Sequence, residues 1–84
     1  MSAVPADLAA TTGFVVADSH GRVVGRVEAA MFGPLGEIPD ALAVRRGRIK
    51  KHLRLVPAST IDRIDIHEGV VALRVARDSI RRFH

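Results

Sequence analysis

The chain has 84 residues, 48% of them hydrophobic, and no cysteine, tryptophan or tyrosine. That length holds one domain, that apolar fraction argues against intrinsic disorder, and the missing cysteine excludes disulfides, thiolate metal ligation and thiol catalysis. The net charge of +4 is local in origin: two Arg stand against five acids over residues 1–44, six basic residues and no acid fall in 45–56, and five Arg stand against four acids over 57–84. No run approaches the roughly 18 apolar residues of a membrane span. Residues 1–12 lack the basic start and apolar stretch of a secretory signal, so a cytoplasmic location is expected.

Residues 1–12 show no β period and read as a flexible leader, mobile or docked loosely through Val4 and Leu8, with the domain proper at 13–84. Phe14 to Asp18 reads as a first strand, and Asp18-Ser19-His20-Gly21 as a turn with Asp at its first position and Gly where a left-handed residue is needed. Arg22 to Phe32 follows as a second strand. Strict alternation places Val23, Gly25, Val27, Ala29 and Met31 on one face and Arg26 and Glu28 on the other. Gly25 inside that strand predicts a bulge or sharp bend.

Gly33 to Asp40 holds Pro34, Gly36 and Pro39 and reads as a loop, with Leu35 and Ile38 unusually apolar for one. Phe32, Leu35 and Ile38 either form a homodimer or partner contact or fold back over an open end of the domain. Ala41 to Arg46 is a third strand with Leu42 and Val44 inward. Gly47 marks a tight turn. Arg48 to Val56 is a fourth strand, with Leu53 and Leu55 on the buried face and His52, Arg54 and Val56 opposite.

That third hairpin carries Arg45, Arg46, Arg48, Lys50, Lys51 and Arg54, an anion or nucleic-acid surface on one reading and a solvated, edge-protecting hairpin on the other. No aromatic residue accompanies the charges, which weakens a single-strand stacking mode. Pro57 stops the strand, and Ser59 with Asp62 reads as the cap of one short helical turn. Ile64 and Ile66 alternate with charged residues in a fifth strand, His67-Glu68-Gly69 is a turn, and Val71, Leu73 and Val75 alternate in a sixth. Asp62 and Asp65 are read as partners of Arg63 or Arg74. Arg77 to Phe83 has helical spacing, with Ile80 and Phe83 three apart. His20, His52, His67 and His84 show no ligand spacing, and no phosphate loop or paired acid and base appears.

Six short strands and glycine turns predict an all-β fold: a small six-stranded antiparallel β-barrel with a short C-terminal helix. Two stretches add a resemblance. Gly13-Phe14-Val15-Val16-Ala17-Asp18 with Gly21, Val24-Gly25-Arg26-Val27 and Glu28, then Leu53-Arg54-Leu55-Val56-Pro57-Ala58-Ser59 with Ile61, together resemble the PRC-barrel family over about residues 13–83. That family includes the cytoplasmic domain of the photosynthetic reaction-centre H subunit and the C-terminal domain of the ribosome maturation factor RimM. The resemblance implies a barrel and a binding role, and carries over no functional residue. The expectation is a non-catalytic adapter or protein-binding module, a homodimer, with no cofactor, metal or small-molecule substrate. The alternative is a ribosome- or RNA-associated factor using the basic hairpin 45–54.

Overall fold

A computed structural model of the chain describes residues 8–32, 39–46, 53–80 and 82–83. Its strands are β1 (Val15–Ala17), β2 (Val23–Phe32), β3 (Pro39–Arg45), β4 (Leu53–Pro57), β5 (Ile61–Asp65), β6 (Val70–Leu73) and the two-residue β7 (Arg82–Phe83). Three single 3-10 turns, Leu8–Ala10, Ala58–Thr60 and Arg77–Ser79, complete the described residues. The strands form one sheet in the order β5-β6-β1-β2-β3-β4-β7.

Two features of the expected fold are corrected. The sheet is mixed rather than antiparallel, because β1 and β6 run parallel, with Val16 opposite Val71. The chain leaves β4 at one side of the sheet and enters β5 at the other, so the β5–β6 hairpin arrives beside β1 from a direction that local turn signals do not encode. The expected C-terminal helix is also absent, and no α-helix occurs among the described residues. Arg77–Ser79 makes one 3-10 turn, closed by Ser79 N–H to Ala76 O and Ile80 N–H to Arg77 O. Arg82 and Phe83 then pair with Arg54 and Leu53 of β4. A helix this short has little stability of its own, whereas the outer edge of β4 offers unpaired backbone groups to whatever segment reaches it.

The sheet is strongly curled, as chain geometry requires. In a flat sheet β4 and β5, five neighbour steps apart, would lie about 24 Å from each other at the usual strand spacing. Only Ala58–Thr60 separates Pro57 from Ile61, and four residue steps reach at most about 14 Å. The two sides are thus drawn together at this corner. The corner turn lies against β3, Thr60 Oγ1 donates to Pro57 O at 2.7 Å, and Arg74 N–H donates to Thr60 O at 2.8 Å. Ser59 lies inside the turn rather than capping it.

The concave side holds a single core built from Val16, Val24, Val27, Leu42, Val44, Val56, Ile61, Val71 and Leu73, joined by Leu8 and Ile80. Leu42, Val44, Val71 and Leu73 lie where alternation puts them. β2 departs from its expected phase. Val23 is 57% exposed and Ala29 and Met31 are exposed, while Val24 and Val27 are buried. Two bulges cause this: Ala17 pairs with Val23 directly after Val16 pairs with Gly25, leaving Val24 extra, and Glu28 is extra against β3. β4 is likewise out of phase, with Val56 fully buried opposite Leu42 and Leu53 and Leu55 only half-buried. Ile66 falls in a turn and is 61% exposed.

The expected leader spans residues 1–12. Within it Leu8 and Thr11 are buried while Ala10 and Thr12 are exposed, and residues 1–7 lie outside the described residues. Thr11 donates to Leu8 O from both its backbone N–H and its hydroxyl, at 3.2 and 2.7 Å. Gly13 N–H then reaches Val27 O at 2.9 Å and ties the segment to β2.

Candidate functional site

The register across β1, β2 and β3 sets one row of side chains on the outer, convex face: Val15 opposite Arg26, and Arg26 opposite Arg45. Directly opposed residues share a face, so two arginines leave the sheet from neighbouring positions there, a placement of like charges that is unfavourable by itself. Arg46 follows at the end of β3. Arg77 comes from the turn after β6, and its Nη1 donates to Val23 O at 3.3 Å. Val15, Val23, Gly25, Arg26, Arg45, Arg46 and Arg77 line an open groove of about 640 Å³. Its lining combines two valines with four arginines.

Each arginine is held differently. Arg26 Nη1 donates to Gly13 O at 3.0 Å, which lays the side chain along the outer face. Arg45 Nε stands 3.5 Å from Glu28 Oε1, and the two side chains are 30% and 42% exposed. The Nε itself is shielded from solvent and has no hydrogen-bond partner, so this is an ion pair without a directed hydrogen bond, of the half-exposed kind worth at most about 1 kcal/mol. The Arg46 side chain is exposed and makes no hydrogen bond or ion pair to another described residue. A guanidinium carries five N–H donors and stays charged at any physiological pH. Much of the donor capacity around the groove therefore remains available, with Glu28 paired to Arg45 and the Asp18 carboxylate committed to backbone N–H groups.

Asp18 fixes one wall. Its carboxylate is 5% exposed. Oδ1 accepts the backbone N–H groups of His20 and Arg22 at 2.9 and 2.8 Å, and Oδ2 accepts that of Arg77 at 2.8 Å. The β1–β2 turn is thus bonded to the turn that carries Arg77, 59 residues away. Burial by itself raises the pKa of this carboxyl, but the three N–H donors, Arg77's first, and the charge of His20 lower it further, and the net shift is downward. A group whose folded pKa is depressed stabilises the fold above its unfolded pKa, about 3.9, and loses that contribution as pH falls through the folded value. Asp18→Asn is therefore less stable than the native chain at about pH 6, and the gap narrows toward about pH 3. Thermal melts at the two pH values check this, with the native Tm falling further than the variant's. Equal falls would mean that Asp18 is not the clamp.

The basic hairpin is not one surface. Of its six residues, Arg48, Lys50 and Lys51 lie outside the described residues. Arg45 and Arg46 line the groove, but Arg54 pairs with Val44 and so projects from the face opposite to that of Arg45. Arg26 and Arg77, far away in sequence, take the places beside Arg45 instead, and local charge counting cannot find them. Phe32 is 53% exposed at the end of β2, next to Met31 at 38%, while Leu35 and Ile38 lie outside the described residues. Asp65 Oδ1 accepts the N–H of Glu68 at 2.9 Å, and Arg74 Nη2 donates to Ile61 O at 2.9 Å, so both serve backbone groups rather than the cross-strand pair expected for them. Among the described residues no three of His, Asp and Glu converge as metal ligands, and no helix is long and apolar enough to cross a membrane.

No family model matches the chain, and no curated protein matches it.

Proposed function

We propose that this chain is a non-catalytic protein-binding module built on a PRC-type β-barrel. The curled sheet, drawn together at the Pro57–Ile61 corner and extended by β7 on the edge of β4, supports the barrel part of this reading. The observation that carries the binding part is the groove. Four arginines from β2, the end of β3 and the turn after β6 line one open groove together with Val15 and Val23. Arginine recognises carboxylate through its planar fork, and it acts as neither base nor nucleophile near neutral pH. Such a lining is suited to holding a partner rather than to turning over a substrate. Self-association through the exposed Phe32 belongs to the same reading.

Cross-linked affinity capture from the native cell, quantified by mass spectrometry, tests it. The native chain and Arg63→Glu, an exposed change on β5 outside the groove lining, retain the same protein partner. Arg46→Glu loses most of it. Equal capture by all three removes the groove as the binding face, and recovery of nucleic acid in its place turns the reading to an RNA-associated factor. Light scattering at high concentration gives a dimer mass for the native chain and a monomer mass for Phe32→Asp. A native monomer removes the self-association.

A further inference from the structure

We infer that the groove between Arg45, Arg46 and Arg77 takes an acidic, aliphatic segment of another polypeptide, two or more carboxylates spaced along an extended chain. This rests on the protein-binding reading and names the chemistry of its partner.

Charge complementarity sets the first requirement. Glu28 offsets Arg45, and Arg26, Arg46 and Arg77 remain around an opening of about 640 Å³. One carboxylate would leave two of these three cations unopposed, whereas two or three would match them. Like charges gathered on one face disfavour one another, and carboxylates among them form charge-assisted hydrogen bonds.

The valines set the second requirement. Val15 and Val23 line the groove together with the cations, and Val23 is 57% exposed. A ligand that presents only charge leaves this surface wet. A segment in which carboxylates and aliphatic side chains take turns at every second position sets both on one side of an extended chain, where the aliphatic groups cover the valines and the acids meet the arginines. A nucleic-acid strand fits less well. It uses aromatic faces for its bases, and the groove lining contains no aromatic residue.

Fluorescence anisotropy with a dye-labelled Glu–Val peptide, a Glu-Ser-Val-Ser repeat that sets both residue types on one side, tests the inference, with a Glu–Ser peptide, inorganic phosphate and a single-stranded RNA as competitors. The Glu–Val peptide binds saturably and more weakly as salt rises. Arg46→Glu and Arg77→Glu each weaken it about five-fold or more, as loss of one ion pair implies, and Arg63→Glu leaves it unchanged. Val23→Ser, at an exposed position where folding tolerates the change, weakens the Glu–Val peptide and not the Glu–Ser peptide. Circular dichroism of each variant confirms a native spectrum. No peptide binding, indifference to Arg46 and Arg77, or tighter binding of RNA or phosphate each overturns the inference. If the peptide fails while partner capture still depends on Arg46, the ligand chemistry is wrong and the binding module stands. If partner capture fails too, both fall.

Discussion

Gly25→Ala is expected to destabilise the protein by about 3 kcal/mol, the upper part of the range for overpacking a close-packed site, which lowers the Tm by roughly 10–20 °C for a chain of this size. Gly25 lies in β2 with neighbours on both sides, opposite Val16 of β1 and beside the end of β3. A Cβ at this position would stand 2.5 Å from the carbonyl oxygen of Arg45 and 2.9 Å from Val44 Cγ1. The first of these is backbone in mid-sheet and has no rotamer by which to move away. The strand would have to separate from β3 at the point where Arg45 and Arg46 begin. The same substitution therefore also loosens the groove wall, and the Glu–Val peptide should bind the folded fraction less tightly. Gly21→Ala is the control. Gly21 adopts φ +79° in the β1–β2 turn, and nothing lies within 4 Å of its added Cβ, so it incurs only the left-handed backbone cost of about 1–2 kcal/mol. Urea unfolding of both variants decides the matter. If Gly25→Ala costs no more than Gly21→Ala, β2 and β3 do not approach as closely as described.

The same glycine shows what was legible in the sequence. A glycine inside an otherwise apolar strand marks a bulge or a close approach, and here it marks both: Val24, its neighbour, is the extra residue against β1, and β3 presses onto Gly25. The existence and approximate bounds of β1 to β6 follow from period-two alternation and turn residues, and so does the burial of Leu42, Val44, Val71 and Leu73, whereas β7 falls in a tail whose spacing reads as helical. Alternation fails for β2 because each bulge shifts the phase by one residue, which moves Val23 out and Val24 in. Composition cannot register such a shift, because both residues are valine. In β4 the phase turns on which neighbour Val56 faces. Its partner Leu42 belongs to another strand, and the strand's own sequence does not state the pairing.

The groove was half legible for a related reason. A local count of charge finds Arg45 and Arg46, since the basic run is contiguous. It also collects Arg54, which the strand alternation sends to the other face. Arg26 reaches the site only because β2 pairs with β3, and Arg77 only because Asp18 bonds to its backbone N–H across 59 residues. Both are consequences of topology. The signal available beforehand was the Asp18 turn itself, but its second role, as an acceptor for a distant turn, depends on β6 lying parallel to β1. A search for local motifs reads each hairpin separately and cannot see that juxtaposition.

Leu8→Ala is expected to cost about 3 kcal/mol, within the 2–5 kcal/mol found for truncating a buried leucine. That is a large fraction of the roughly 4–13 kcal/mol available to a chain of this length. The expectation follows from where Leu8 sits. Its residue is wholly inaccessible and joins the same core cluster as Val24, Val27, Leu42 and Val44, and the 3-10 turn that carries it packs against both β2 and β3. Those two strands curve around the core and leave a cap to be filled at this end. The turn fills it, anchored by the two bonds from Thr11 to Leu8 O and by Gly13 N–H to Val27 O. No β period announces this role, because a single side chain in a short turn has no periodicity to show. Val23→Ala, at a site 57% exposed, should change stability by no more than about 0.5 kcal/mol and serves as the comparison. Denaturant midpoints measured side by side separate the two outcomes. If Leu8→Ala unfolds at the same urea concentration as Val23→Ala, residues 8–12 are a loose leader and not part of the core. If it unfolds far earlier, the stable domain begins at or before Leu8.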